Sequence, residues 1–173
     1  MRLQLGAPGE RGIVGWRVRG LPRSVCSVDG LATEASDAPE RDPAPPETHE
    51  LGIVGVDHVV VATPDLERTF AALDAAGLEL RRVREAGPDA RQGFYRLGPC
   101  ILEVVGPRET DGEGPASFWG LVLVVDDLDV AAAQLGPLLG TPRAAVQPGR
   151  RIATVRREAG LGTAVALMTT RPR

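Results

Sequence analysis

The sequence predicts an α+β fold made of two tandem modules, each with the order strand, helix, strand, strand, strand. Two observations carry this. The stretch Val56-Asp57-His58-Val59-Val60-Val61-Ala62-Thr63-Pro64-Asp65-Leu66-Glu67 reads as a buried strand running into a capped helix. A weaker copy, Gly120-Leu121-Val122-Leu123-Val124-Val125-Asp126-Asp127-Leu128-Asp129, follows it, and the offset from Asp65-Leu66 to Asp127-Leu128 is 62 residues. A fixed offset of that kind marks an internal duplication.

The first fifty residues read differently. Gly, Pro and Arg dominate as far as Arg23, and Glu34 to Glu47 is acidic and rich in proline. Such composition buries too little apolar surface to offset the entropy of ordering. The expectation is a disordered leader over residues 1–50 and a folded domain over 51–173, with modules at 51–106 and 117–170. Ile13 to Val18 has the makings of one short strand without an evident partner, and His49 is expected to be solvated.

The folded part begins with a strand over Ile53 to Ala62, rich in β-branched residues. Thr63 is the expected helix cap, Pro64 suits the first turn, and Asp65 and Glu67 favour the positive end of the helix dipole. Leu66, Phe70 and Leu73 recur at helical spacing and Gly77 ends the helix. Strands follow over Leu78 to Glu85, Gln92 to Leu97 and Cys100 to Val105, separated by Gly87-Pro88-Asp89 and Gly98-Pro99. Gly106 to Ser117 is a polar linker. The second module repeats the order: a strand over Phe118 to Val125, a helix capped by Asp126, then strands over Pro142 to Val146, Arg151 to Arg156 and Ala164 to Thr169. A ferredoxin-like sheet would leave at least two of these strands unassigned.

Net charge is −3, so no overall attraction to nucleic acid or an anionic membrane is expected. No apolar run approaches the ~20 residues that span a bilayer. Cys26 and Cys100 lie far apart and form no CxxC pair, which argues against a disulfide framework and suits a reducing cytoplasm. All 20 basic residues are arginine. Gly-rich phosphate loops and Ser-His-Asp order are absent.

This twofold repeat resembles the vicinal oxygen chelate (VOC) superfamily, which includes glyoxalase I, bleomycin-resistance proteins, extradiol dioxygenases and methylmalonyl-CoA epimerase. The residues that carry the resemblance are Asp57 to Leu66, Ile101-Leu102-Glu103-Val104-Val105, and Val124 to Asp129. It covers Gly52 to Thr170. The resemblance implies that each module curls into a half-barrel, that the two halves form a cup, and that metal ligands come from the first and last strands of each module. Carried over, the first module supplies His58 and Glu103. The second offers Gly120 opposite His58, and Ala166 or Leu167 opposite Glu103, none of which binds a metal. Divalent catalytic sites ordinarily take three protein ligands, so a metal at His58 and Glu103 is disfavoured and no cofactor is assigned.

Within its strand His58 shares a face with Val60 and Ala62. It reads either as a core histidine with one satisfied hydrogen bond or as a functional group. Glu103 interrupts an apolar run, where a carboxylate is either paired or wet. Lining a cup beside His58, it would serve as a general base. Gln147, Arg150 and Arg151 flank a Pro-Gly turn, which reads either as a cup mouth where an Arg would hold a carboxylate or phosphate in bidentate fashion or as a hairpin tip with solvated arginines. Arg81-Arg82-Val83-Arg84 reads as the outer face of a strand. Gln92, Phe94, Tyr95 and Trp119 are candidates for the pocket wall, and core packing accounts for them equally well. The resulting expectation is a cytoplasmic homodimer that binds a small oxygenated metabolite. It is either a glyoxalase-like lyase or isomerase working through His58 and Glu103, or a bleomycin-resistance-like protein that sequesters its ligand.

Overall fold

The computed structural model describes residues 1–7, 11–37 and 49–171. Its strands are β1 (Arg2–Leu5), β2 (Ile13–Arg19), β3 (Ser27–Val28), β4 (Leu31–Ser36), β5 (Ile53–Ala62), β6 (Leu80–Glu85), β7 (Ala90–Leu97), β8 (Cys100–Pro107), β9 (Ser117–Val125), β10 (Arg143–Ala144), β11 (Arg151–Thr154) and β12 (Ala164–Thr169). Helices α1 (Leu66–Ala75) and α2 (Leu128–Leu135) follow β5 and β9. From β5 onward the order is therefore strand, helix, three strands, given twice. The chain forms two compact units, Met1–Pro39 with Val59–Gly120 and Glu40–His58 with Leu121–Arg173.

In the first unit, strands run in the order β5-β8-β7-β6. The β7–β8 pair is antiparallel, with Phe94 opposite Glu103 and Gly93 opposite Val104. Alternation sends Gly93, Tyr95, Leu97, Leu102 and Val104 toward α1, while Gln92, Phe94, Ile101, Glu103 and Val105 occupy the half-exposed face. At Gly93 α1 packs closely on the sheet: a Cβ there would lie 2.4 Å from the Phe70 ring. Asp65, not Thr63, caps α1, its carboxylate accepting from Arg68 N at 3.0 Å. Thr63 Oγ1 instead accepts from Asp65 N and from the Thr69 hydroxyl. The shorter Asx loop wins because Asp65 lies immediately before the first helical residue.

The N-terminal stretch is not a disordered leader over residues 1–7 and 11–37. It forms a four-stranded sheet in the order β1-β2-β4-β3. β1 pairs antiparallel with β2, β2 runs parallel to β4 with Trp16 opposite Thr33, and β3 pairs antiparallel with β4. Trp16, Val18, Val28 and Leu31 are buried and share one cluster with Leu66, Phe70 and Leu73. Trp16 Nε1 donates to Thr33 Oγ1 at 2.7 Å, and its ring meets Phe118 edge-on at 5.5 Å. Arginine count concealed the pattern: Arg17 and Arg19 are exposed while Trp16 and Val18, which alternate with them, are buried. The sheet is fastened to α1 at the β3–β4 turn. Asp29, at φ 47, accepts from Arg68 Nε at 2.8 Å and from the Thr69 hydroxyl, and its carbonyl accepts from Ala116 N. Gly30 beside it has φ +88, and a Cβ would lie 2.3 Å from Pro115 Cβ. Most of the acidic proline-rich segment, residues 38–48, lies outside the described residues.

In the second unit the order is β10-β11-β12-β9-β5. Val125, Leu128, Ala131, Leu139, Ala153 and Leu167 form its core under α2, and Val122, Ala166 and Met168 form a separate cluster. Asp127, not Asp126, caps α2, accepting from the amides of Asp129 and Val130 at 2.8 and 3.0 Å. The strand expected over Pro142 to Val146 shrinks to Arg143–Ala144, because the turn closes early with Ala145 N donating to Arg150 O.

Candidate functional site

Two polar clusters stand out, one in each unit, and each holds one of the two residues singled out in the sequence. In the second unit, β5 contributes Asp57 and His58 as its first buried residues after an exposed start. His58 Nδ1 lies 2.9 Å from Asp57 Oδ2, and the two residues are 9% and 7% exposed. Asp57 Oδ1 accepts from Arg150 Nη1 at 2.6 Å. Arg150 Nε donates to the Thr169 carbonyl at 2.8 Å, which ties the turn before β11 to the end of β12. The hydrogen bond to His58 lowers the Asp57 carboxyl to about 2; burial pushes the other way, and the hydrogen bond and charge of Arg150 add to the lowering.

In the first unit, Glu103 sits on the half-exposed face of β8. Gln92 Nε2 on β7 donates to Glu103 Oε1 at 2.6 Å. Arg84 on β6 donates through Nε to Gln92 Oε1 at 3.0 Å and also through Nη2. The Arg84 guanidinium lies over the Phe94 ring at 5.4 Å. Because Arg84 is a donor only, Gln92 must turn its oxygen toward it and its amide N–H toward the carboxylate. The chain Arg84–Gln92–Glu103 thus holds one carboxylate oxygen from across three strands. Arg84, expected as mere outer surface, belongs to this cluster.

Other candidates scatter. Tyr95 is not a wall residue of the half-exposed face. It is 2% exposed, lies against Phe70 with ring centroids 6.3 Å apart, and its hydroxyl has no hydrogen-bond partner. Burial pushes that phenol up well above its ordinary value, with the charges of Asp74 and Glu67 adding to it. Its parity settles the matter: Gln92 and Tyr95 are an odd number of residues apart, so one strand sends them to opposite faces. Trp119 is 59% exposed. The three residues expected at the Pro-Gly turn part company. Gln147 is exposed. Arg151 makes a surface pair with Asp129 at 2.7 Å. Arg150 is not an open anion clamp, since its side chain is 3% exposed and serves Asp57.

The sequence pointed to His58 but passed over Asp57 beside it, although a carboxylate at the start of a buried apolar run was the available signal. Nothing in the sequence pairs Asp57 with Arg150.

A divalent metal, which the resemblance implies, does not fit these residues. Asp57 spends one oxygen on a guanidinium and the other on the His58 ring. The corresponding second-module positions hold Gly120 and the buried hydrocarbon of Ala166 and Leu167. Among the described residues no three His, Cys, Asp or Glu side chains assemble into a metal-binding group.

No family model and no curated protein matches the sequence. Solved structures do. The chain is similar to methylmalonyl-CoA epimerase from Mycobacterium tuberculosis at 20% identity and a TM-score of 0.55, covering 70% of this chain and 91% of that one. It is similar to the Streptomyces coelicolor epimerase in complex with 2-nitronate-propionyl-CoA at 20% identity and a TM-score of 0.54, covering 69% and 99%. A hypothetical protein from Bacillus halodurans C-125 matches at 12% identity and a TM-score of 0.54, covering 68% and 95%. At these identities the likeness shows the fold.

Proposed function

We propose, from the premise that this chain has the vicinal oxygen chelate fold, that it binds a small oxygenated metabolite and moves a proton at a carbon next to a carbonyl. This is isomerase or lyase chemistry. His58 and Glu103 are the proposed acid–base groups, each on the geometry of its own unit. One takes the proton from the α-carbon; the C–H electron pair becomes the carbon–carbon double bond of an enolate and the carbonyl π pair moves onto the oxygen. Return of a proton to that carbon completes an isomerisation. The observation that carries the reading is His58 held by an ionised, buried carboxylate, an arrangement in which one ring nitrogen is committed and the ring is oriented. Glu103, fixed at one oxygen by Gln92, is the second group. The epimerases of similar fold, one of them solved with methylmalonyl-CoA, make an acyl thioester the first class of ligand to test. A homodimer in the cytoplasm is proposed as its setting.

The test is hydrogen exchange. Purified protein is incubated with methylmalonyl-CoA in D2O and deuterium at the α-carbon is followed by mass spectrometry. The wild type incorporates deuterium, and His58→Gln and Glu103→Gln each lose about 100- to 10,000-fold in rate. The second reading, a protein that sequesters its ligand without chemistry, is favoured by the bare second-module positions Gly120, Ala166 and Leu167. Ligand binding without exchange, at an affinity unchanged in both variants, would decide for it.

A further inference from the structure

β3 leaves most of β4 uncovered. It pairs antiparallel with β4 only at Leu31 and Ala32, and one further bond, Thr33 N donating to Cys26 O at 3.0 Å, ends the ladder. Upstream of Cys26 the chain turns back, with Val25 N donating to Pro22 O. Because the Thr33 N–H is spent on Cys26, away from β2, alternation places the N–H and C=O of Ala35 on that same edge. Among the described residues no strand lies against the edge at Ala35. A cavity of about 290 Å3 lies there instead, lined by Val25, Cys26, Thr33 and Ala35 and, at its far end, by Arg23 and Asp37. Val25 and Ala35 pack on the core of the first unit, which makes the floor apolar. Arg23 Nη2 engages Asp37 Oδ2 at the surface, where the two side chains are 83% and 69% exposed, and a carboxylate has acceptor sites to spare.

An open strand edge beside a cavity is matched by an extended peptide backbone. We propose that this edge of β4 binds a short peptide by its free amino terminus. The ligand continues the line of β3, antiparallel to β4. Its second residue exchanges both main-chain hydrogen bonds with Ala35, its first lies opposite Ser36, and its ammonium group meets the Asp37 carboxylate beside Arg23. The cavity is near the lower limit of small-molecule sites, which run roughly 300–1,000 Å3, so the ligand has about two or three residues. Neither His58 nor Glu103 takes part, so binding here is independent of the reaction proposed for them.

The test is a titration of the uniformly 15N-labelled full chain with alanyl-alanine amide, followed in proton–nitrogen correlation spectra. The expected result is a saturable shift of the Ala35 amide, with a Kd of about millimolar order. Methylating the nitrogen of the peptide's second residue removes the donor for the Ala35 carbonyl and is expected to abolish the shift. Acetylating its amino terminus is expected to weaken binding about 2- to 5-fold. Asp37→Ala, at an exposed position, is expected to cost the same factor, and in that variant the free and acetylated peptides bind alike. A wild-type Ala35 signal that stays in place, or drifts without saturation, would overturn the proposal. So would undiminished binding of the methylated peptide. Equal affinity of the free and acetylated peptides for the wild type would overturn the role of Asp37.

Discussion

Arg150 and Asp57 are 93 residues apart in sequence, yet their side chains meet at 2.6 Å in the interior of one compact unit. Removing either partner of such a pair strands the other charge in a poorly solvated place. Arg150→Met is expected to destabilise the protein by about 3–5 kcal/mol, read from urea unfolding. Adding Asp57→Leu to it is expected to restore much of that loss, since the stranded charge disappears. A double variant no more stable than Arg150→Met would contradict this account.

The same pair sets an acid dependence. Asp57 has a folded value of about 2 against an ordinary 3.8. Its folded form favours the ionised state, so the contribution is fully present above the ordinary value and fades as pH falls through about 2. It is worth roughly 2 kcal/mol. Unfolding midpoints of the wild type and of Asp57→Asn, followed from pH 6 downward, are expected to converge over that window. Parallel curves would speak against it.

Tyr95 has a hydroxyl without a partner in a closed apolar cluster. An unsatisfied buried polar group costs roughly 1–3 kcal/mol. Tyr95→Phe is therefore expected to raise the melting temperature, with a gain of about 1 kcal/mol after the lost packing of one oxygen. A lower melting temperature would reveal a partner for the hydroxyl.

The N-terminal sheet is part of the core and not an appendage. Trp16→Ala is expected to cost about 3–5 kcal/mol, whereas the same change in a disordered leader would be silent. Fluorescence supplies a second measure. Trp16 is 0% exposed and Trp119 59% exposed, so Trp119→Phe is expected to leave a blue-shifted emission resistant to iodide quenching.

Both central strands and their helices were legible because they obey local rules. β5 is rich in β-branched residues, and α1 has its apolar residues at helical spacing behind an acidic turn. Each helix cap was misplaced by one or two residues, since several acceptors in a row compete for the same amides. Tyr95 stands between pocket wall and core in the sequence, and strand parity from Gln92 was the signal that separates the two. The N-terminal sheet was hidden for a different reason. Its core residues alternate with arginines, and its parallel β2–β4 pairing, Trp16 with Thr33 to Arg19 with Ser36, joins residues 17 apart in the chain, which no local window detects. Arg150 shows the same limit more strongly. A turn arginine and a buried one carry the same letters around them, and only the meeting of distant strands separates the two.

The backbone leaves one compact unit for the other inside two strands, between His58 and Val59 in β5 and between Gly120 and Leu121 in β9. The polar linker, which looks like the natural seam of the duplication, is not where that passage occurs. A gene split at the linker would sever β9 from the helix and strands that complete the earlier unit, and would leave β5 with half its length in the wrong fragment. Neither repeat, cut out at the linker, would carry the whole of one compact unit.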